Sequence, residues 1–477
     1  MYSEIQTKQR AKKTRGLYSI ASRIDRLPLT REIWHIMLLV GIAWLIESYD
    51  IGVIGNILPS LVKQFHLGAL SQGLLVAAST LGIVVAVIPS GLFADRIGRK
   101  RILVFGTAWY AVFSFLGGFA PNPAMIILLR FVSGLGMGAV FPIPYAMAAE
   151  LIPSHFRGAM TGVLDSFLSI GYFLAPLAAF MLVPHLPVNL GWRYLFFIGG
   201  IPVFYVPILL KWMPESPRWL QVRGRTDEAN EVVSYLEYKV ENRTKTFLPE
   251  PTMSPETYTQ TLATRQKPSF LSILRGKYLK RTCMMWLAFS CILFVFYAVQ
   301  TYTPTVLVKQ GYSFSNAFLL TSIIVLASIP GKYAAAYALE KFGRKATLIS
   351  FTAIASAGAV LFGLAHNPVL ALICGIVLSF FGIGVDPAIK IYGAEQYPTA
   401  IRETGVGMFE GCGRFFGGAL APFIMAFIIA NSGVFGSYLF VAIVALGGLV
   451  AVALLGTETR GKSIERAASI TGALETH

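Results

Sequence analysis

Charge is scarce in this sequence. Asp, Glu, Lys and Arg make up 13% of its 477 residues, against about 25% in ordinary soluble domains. Negative charge is scarcest, with 24 acidic residues against 40 basic ones and a formal net charge of +16. Cysteine is almost missing. Cys283, Cys291, Cys374 and Cys412 lie inside apolar stretches without metal-ligand spacing, which excludes a disulfide scaffold and marks them as small apolar fillers. No GxxxxGK[ST] phosphate loop occurs, so an ATP-driven pump is not expected from this chain alone. A metal-ligand cluster, a nucleophile elbow and cofactor motifs are also lacking, and the histidines sit mostly near loops and ends; neither a cofactor nor an enzymatic activity is expected. The N-terminal segment is polar and basic up to residue 33 and has no cleaved-signal pattern.

What the chain has is hydrophobicity: 55% apolar residues and a mean hydropathy of +0.63. Apolar stretches of about 20 residues, each long enough to cross roughly 30 Å of hydrocarbon as a helix, recur along it. Hydropathy places twelve spans at 34–58, 70–92, 101–120, 123–148, 159–183, 192–212, 281–308, 314–338, 345–365, 367–392, 403–429 and 434–456. The expected organisation is an N-terminal segment (1–33), a six-helix bundle (34–212), a central loop (213–280), a second six-helix bundle (281–456) and a tail (457–477). Arg225 to Lys245 in the central loop suits one or two amphipathic helices, and Asn242-Arg243-Thr244 is read as a chance glycosylation match. Basic residues gather on one side, in the tail (Lys8, Arg10, Lys12, Lys13, Arg15) and in the connections with Arg96, Arg99, Lys100, Arg101, Arg218, Arg223, Arg344 and Lys345. The positive-inside rule puts both termini in the cytoplasm. Orientation and anionic lipid then account for the basic balance, and no nucleic acid is needed.

The two halves repeat each other. GLFADRIGRKRIL at 91–103, between spans 2 and 3, is echoed by AYALEKFGRKATL at 336–348, between spans 8 and 9. Asp95, Arg96, Arg99 and Lys100 match Glu340, Lys341, Arg344 and Lys345. An acid followed by a Gly-hinged basic cluster can lock neighbouring helix ends by charge pairing, and breaking that lock would act as a gate. One such cluster is explained by a plain positive-inside loop; two at equivalent places are not.

The first of these loops is similar to the G-x-L-a-D-R-x-G-R-K signature of the major facilitator superfamily of secondary transporters. RFVSGLGMG at 130–138 resembles that family's helix 4 motif. AELIPSHFRG (149–158), PESPRWL (214–220), AEQYPTAIRETGVG (394–407) and TETRGKSIE (457–465) resemble its sugar-porter-like branch, and Ile24-Asp25-Arg26-Leu27-Pro28 its niacin-transporter branch. The resemblance covers residues 20 to 466. It implies an all-α membrane protein of two pseudo-symmetric six-helix bundles, alternating access, and a substrate near the midplane. It also assigns Glu150, Arg157, Glu395 and Arg402 to the two gates, and implies a monomer in the cell's inner membrane.

Chemistry is expected from ionisable groups inside spans, each costing about 2.5–3.5 kcal/mol at mid-span on insertion scales: Glu47, Asp50, Arg130, Asp165, Lys332, Asp386, Lys390, Glu410 and Arg414. Counted from the span ends, Asp50 and Arg130 both fall about 10–12 Å below the outer face and can pair. An Arg that holds a carboxylate charged and then leaves it is what proton coupling needs; a structural ion pair is the alternative. Glu47, one turn before Asp50, shares its helix face, and Glu47-Ser48-Tyr49-Asp50 stands where the aromatic-acid proton symporters carry an Asp-Gly-Tyr-Asp type motif. Which acid takes the proton stays open. Asp165 resembles an acidic position of the bacterial niacin transporters and reads as a second relay or a cytoplasmic-side cap. Arg414, near the midplane of span 11 in GCGRFFGGALAP, resembles the Arg that accompanies anion transport among animal organic-ion transporters and suits a bidentate grip on a carboxylate. A bridge to Glu410 is the alternative. Phe296-Tyr297 falls where organic-anion and niacin transporters have a tyrosine pair, with Gln300 a turn on; Tyr49, Trp44, Tyr145 and Phe381 complete a candidate aromatic box. The Gln-Gln and Asn pattern of hexose porters is missing from span 7. The leading expectation is a proton-coupled symporter of a small organic anion, nicotinate or a benzoate-like acid. A sugar acid or other non-aromatic metabolite is the alternative within transport, and a non-transporting sensor the alternative outside it.

Overall fold

A computed structural model describes residues 18–251, 274, 277–397 and 401–460, and the described residues are helical with no strand. The basic tail 1–17, the Pro, Thr and Ser-rich part of the central loop, positions 398–400 and residues 461–477 lie outside them.

All twelve expected spans are present among the described residues. Span 1 is Arg31–Phe65, span 2 Ala69–Ile97 and span 3 Arg99–Gly117. Span 4 runs through Pro123–Val140 and Ile143–Leu151, interrupted at Phe141-Pro142 because proline cannot donate to the helical ladder. Span 5 is Arg157–Leu182. Span 6 is a helix at Val188–Gly199, a tighter turn at Ile201–Tyr205 and a helix at Val206–Trp212. Span 7 is Lys277–Lys309, span 8 Phe314–Leu326 with Ser328–Phe342, and span 9 Arg344–Leu364. Spans 10 and 11 each contain a π-helical stretch, Ser379–Ile383 and Arg414–Ala419. Leu420–Leu455 carries the end of span 11 into span 12 across a break at Gly433. Span 1 reaches Phe65, beyond its expected end at residue 58. Asp50 therefore lies near the middle of that helix, deeper than the count from residue 58 placed it.

The halves meet along spans 1 and 7, 2 and 11, and 5 and 8. Small residues let the backbones close there. A Cβ built on Gly55 of span 1 would meet the Thr301 backbone of span 7 at 2.7 Å, and one on Gly73 of span 2 would meet Phe423 of span 11 at 2.8 Å.

After span 6, Thr226–Thr244 forms one helix within the amphipathic stretch Arg225 to Lys245, and Pro217–Val222, ahead of that stretch, forms another that was not expected. With Ile20–Asp25 they enclose a small core of Ile20, Ile24, Trp219, Leu220, Ala229 and Val233. Its polar centre is Arg23, which is fully buried. Arg23 donates from Nη2 and Nε to Glu237 at 2.6 and 3.1 Å, and it reaches Asn230 and Ser234 at 2.6 and 2.9 Å. Arg26 adds a second contact to Glu237 at 2.7 Å. Removing one partner of a buried pair strands the other charge, at a cost of about 3–5 kcal/mol. Glu237→Ala is therefore expected to lower the unfolding temperature by several degrees in a thermal melt, while Arg23→Met with Glu237→Met recovers most of the loss.

Candidate functional site between the helix bundles

Two groups of buried charge lie at the centre of the molecule. The first joins spans 1, 2, 3 and 4. Arg130 Nη1 donates to Asp50 Oδ2 at 2.8 Å, and Nη2 donates to the Asp50 carbonyl at 3.0 Å and to Ser79 Oγ at 3.1 Å. The Ser114 hydroxyl donates to the other Asp50 oxygen. Asp50 and Arg130 are 0% and 1% exposed. A Cβ at Gly199 of span 6 would come within 2.7 Å of Asp50 Oδ1, so only glycine lets span 6 cover the pair. Glu47 differs: both its carboxyl oxygens are buried without a hydrogen-bond partner among the described residues, within electrostatic reach of Arg414 and Asp50.

The second group crosses from one half to the other. The Arg414 guanidinium carbon lies 3.7 Å from the centre of the Phe141 ring, a cation-on-ring contact. Phe141 leans on Trp44, centroids 5.6 Å apart, and Trp44 meets Tyr145 edge-on at 4.6 Å. The Tyr145 hydroxyl donates to Asp165 Oδ1 at 2.7 Å. Lys332 of span 8 faces that same acid, its Nζ 3.9 Å from Oδ2 and 3.3 Å from the Asp165 carbonyl. One residue along both helices, the Ser166 and Tyr333 hydroxyls are 2.6 Å apart. Lys390 pairs with Asp386 at 2.7 Å. Arg414 touches Glu410 by a single 3.3 Å hydrogen bond from Nη2, so the alternative bridge exists and leaves most of the guanidinium fork uncommitted. The Trp44 indole N–H, Gln300 Oε1 and Asp386 Oδ1 are likewise buried without partners among the described residues. Buried polar atoms normally have partners, so such a concentration suits a ligand.

Several expected members fall elsewhere. Tyr49 does not join the aromatic box. It is five residues past Trp44, about 140° around the helix, and its hydroxyl donates to the Leu195 carbonyl of span 6 at 3.4 Å. Phe381 packs edge-on against Phe351 and Phe380, away from Trp44. Phe296 meets Tyr172 and Tyr297 edge-on, the Tyr297 hydroxyl bonds Thr80 across the halves, and Gln300 donates to the Tyr172 carbonyl at 3.3 Å. Phe141, Ser79 and Ser114 belong to the site but were not expected there. Aromatic and serine residues are common in spans, and nothing local distinguishes these three.

The repeated loops form matching networks. Gly98 and Gly343 take φ of 110° and 98°, a region that L side chains rarely adopt. Arg99 bonds Asp95 at 2.6 Å and Glu150 at 3.4 Å; Arg344 bonds Glu340 at 3.0 Å and Glu395 at 3.1 Å. The side chains of Arg96, Lys100 and Lys341 take no part in either ion-pair network among the described residues. Arg96 is exposed, and the Lys341 ammonium lies 5.5 Å from the rings of Tyr337 and Phe342. Arg402 is half-buried, and the Arg157 side chain lies outside the described residues. The repeat goes further than the loops. Glu215 accepts the Arg99 and Lys100 backbone N–H groups at 2.9 and 3.2 Å, and Glu458 accepts those of Arg344 and Lys345 at 2.9 and 3.0 Å. Both acids precede a hydroxyl residue just after the sixth span of their half, in PESPRWL and TETRGKSIE. That shared pattern was the available signal.

Partial burial raises the Glu458 carboxyl, but backbone N–H groups of Arg460, Arg344, Lys345 and Thr459 outweigh it and hold the group below the usual glutamate range. Its stabilisation is therefore complete above about pH 4.3 and is lost as pH falls through the depressed folded value. Glu458→Gln is expected to melt lower than the unaltered protein at pH 6–8, with the gap closing below about pH 4.

The profile of the Major Facilitator Superfamily matches residues 40–409 and 319–472. The chain is 34% identical over 448 residues to the niacin transporter NiaP of Acinetobacter baylyi, covering 94% of this chain and 99% of that one. It is 27% identical over 404 residues to the 4-hydroxybenzoate transporter PcaK of Pseudomonas putida, covering 83% and 86%. Among solved structures, the inward-open xylose transporter XylE from E. coli superposes with a TM-score of 0.73 at 20% identity, over 92% of this chain and 99% of that one.

Proposed function

From the chain's membership in the major facilitator superfamily and the geometry between its halves, we propose a proton-coupled symporter of a small organic anion, nicotinate or a benzoate-like acid. The protein is a multi-pass membrane transporter and not an enzyme. The observation that carries the anion reading is Arg414, a buried guanidinium whose carbon lies 3.7 Å from the Phe141 ring centre and which bonds Glu410 once, at 3.3 Å. A carboxylate can take its free fork in two parallel hydrogen bonds, while Phe141, Trp44 and Tyr145 offer surface to a flat ring. Relatives named for niacin and 4-hydroxybenzoate support an aromatic acid.

Coupling is assigned to span 1. Arg130 compensates Asp50 as long as the pair stays intact; protonation of Asp50 releases Arg130, and movement of Arg130 leaves Asp50 in need of a proton. Glu47, without a hydrogen-bond partner and between this pair and Arg414, links substrate charge to proton. Both termini are assigned to the cytoplasm with the two basic turns, and the transporter is taken to work as a monomer in the inner membrane. Asp165 and Lys332 act as a latch between spans 5 and 8 that parts when the halves separate there.

The test is uptake of labelled nicotinate into proteoliposomes with and without an inward proton gradient. Gradient-driven accumulation is expected, inhibited by benzoate and not by glucose or galacturonate. Asp50→Asn should abolish accumulation above equilibrium, and Arg414→Ala should raise the half-saturating concentration about tenfold or more, the worth of a charged hydrogen bond. Uptake of glucose instead of nicotinate would sink the anion reading, and mere equilibration in the unaltered protein would sink the coupling. For the latch, Asp165→Lys should slow transport at least tenfold, with partial recovery when Lys332→Asp restores the pair in reverse; no recovery counts against it.

A further inference from the structure

One face of span 3 carries hydroxyls that packing alone leaves unexplained. Thr107, Tyr110 and Ser114 stand at i, i+3 and i+7, in one line along the helix. All three are fully buried. Ser114 donates to Asp50. The Tyr110 hydroxyl and Thr107 Oγ1 have no hydrogen-bond partner among the described residues. A buried helical threonine ordinarily gives its hydroxyl to a carbonyl one turn back, as Thr303, Thr321 and Thr347 do at 2.6, 2.7 and 2.7 Å. Thr107 leaves that bond unmade.

Spans 1 and 6 supply the facing groups. Tyr110 lies within electrostatic reach of Asp50, Glu47 and Tyr205, and neither Glu47 oxygen has a hydrogen-bond partner among the described residues. Nearer the end that carries the Gly98 turn, the half-buried Tyr205 of span 6 donates to the Leu39 carbonyl of span 1 at 2.8 Å. Leu39 is eleven residues before Asp50 on one helix, about 16 Å at 1.5 Å per residue. Polar atoms therefore descend stepwise from the Asp50–Arg130 pair: Ser114 beside Asp50, then Glu47 and Tyr110, then Thr107, then Tyr205. This line runs within the N-terminal bundle, whereas Arg414 and the Asp165–Lys332 pair lie between the halves.

We propose that the proton of Asp50 travels along this line, on a route separate from the substrate's path between the halves. The inference rests on the coupling reading given above. When Asp50 releases its proton, the acid O–H bond breaks, the electron pair stays on the carboxylate, and Arg130 holds the resulting charge. Each hydroxyl, with water bridging the gaps, takes a proton on its oxygen as it passes its own to the next acceptor. The hydroxyls end as they began, and one proton has moved from Asp50 to the Tyr205 end.

The test uses the full chain in proteoliposomes and labelled nicotinate, with two readouts. One is accumulation driven by an inward proton gradient; the other is counterflow exchange, in which the loaded carrier shuttles without releasing its proton. Tyr110→Phe keeps the ring and removes the hydroxyl. It should slow driven accumulation about tenfold or more, as loss of a proton-transfer group does, and leave exchange intact. Thr107→Val should act in the same way, and Thr107→Ser, which restores a hydroxyl, should recover accumulation. If Tyr110→Phe and Thr107→Val accumulate nicotinate at the unaltered rate while Asp50→Asn does not, the route is overturned and the coupling stands. Accumulation and exchange falling together also overturns the route, as the mark of a structural role. If the unaltered protein only equilibrates nicotinate, the coupling reading fails and the route falls with it.

Discussion

A charge in a water-free interior has to be compensated where it stands, and the core of this protein is arranged around that constraint. Asp50 and Arg130 neutralise each other, and Ser79 and Ser114 take hydrogen-bonding capacity the pair leaves over. This compensation requires spans 1, 2, 3 and 4 to converge on one point, and it requires glycine at position 199 so that span 6 can lie over it. Disturbing the pair by protonation or by movement changes the reason those helices are together. A local change at the pair thereby reaches the whole N-terminal half.

The boundary between the halves follows a different rule. Here compensation is incomplete: among the described residues Glu47 has no hydrogen-bond partner and Arg414 has one long one, and Asp165 and Lys332 are 3.9 Å apart at their charged atoms. Loosely satisfied polar groups are costly in a static core. They make sense where a ligand or a moving helix supplies the missing partners in turn. The π-helical turn that begins at Arg414 fits the same picture, since such insertions concentrate at functional positions.

At the ends carrying the basic turns the logic is pairwise repetition. Each half closes a Gly-hinged turn with an Arg between two acids, and each anchors the following helix N-terminus on a carboxylate supplied from beyond its sixth span. Asp95, Arg99, Glu340 and Arg344 were legible as a repeat because they lie within one short loop. Glu215 and Glu458 were not picked out, since each lies more than a hundred residues from the turn it caps and only a short Glu-hydroxyl pattern connects them.

The amino-acid sequence by itself determined the membrane class, the twelve spans, the doubled architecture and the ionisable groups inside the spans, but not the buried Arg23–Glu237 pair outside them, because hydropathy, length and local repeats are properties of contiguous residues. It also paired Asp50 with Arg130, although Asp50 lies deeper than the residue count put it, and set Arg414 near Glu410 by one-turn spacing. Which side chains share a face across different helices was decided by packing. Tyr49 turns to span 6 while Trp44 faces Phe141, Phe381 sits against span 9, and Asp165 finds Lys332 across the two halves. Helix rotation and neighbour choice depend on every contact along a span at once, so no local pattern records them.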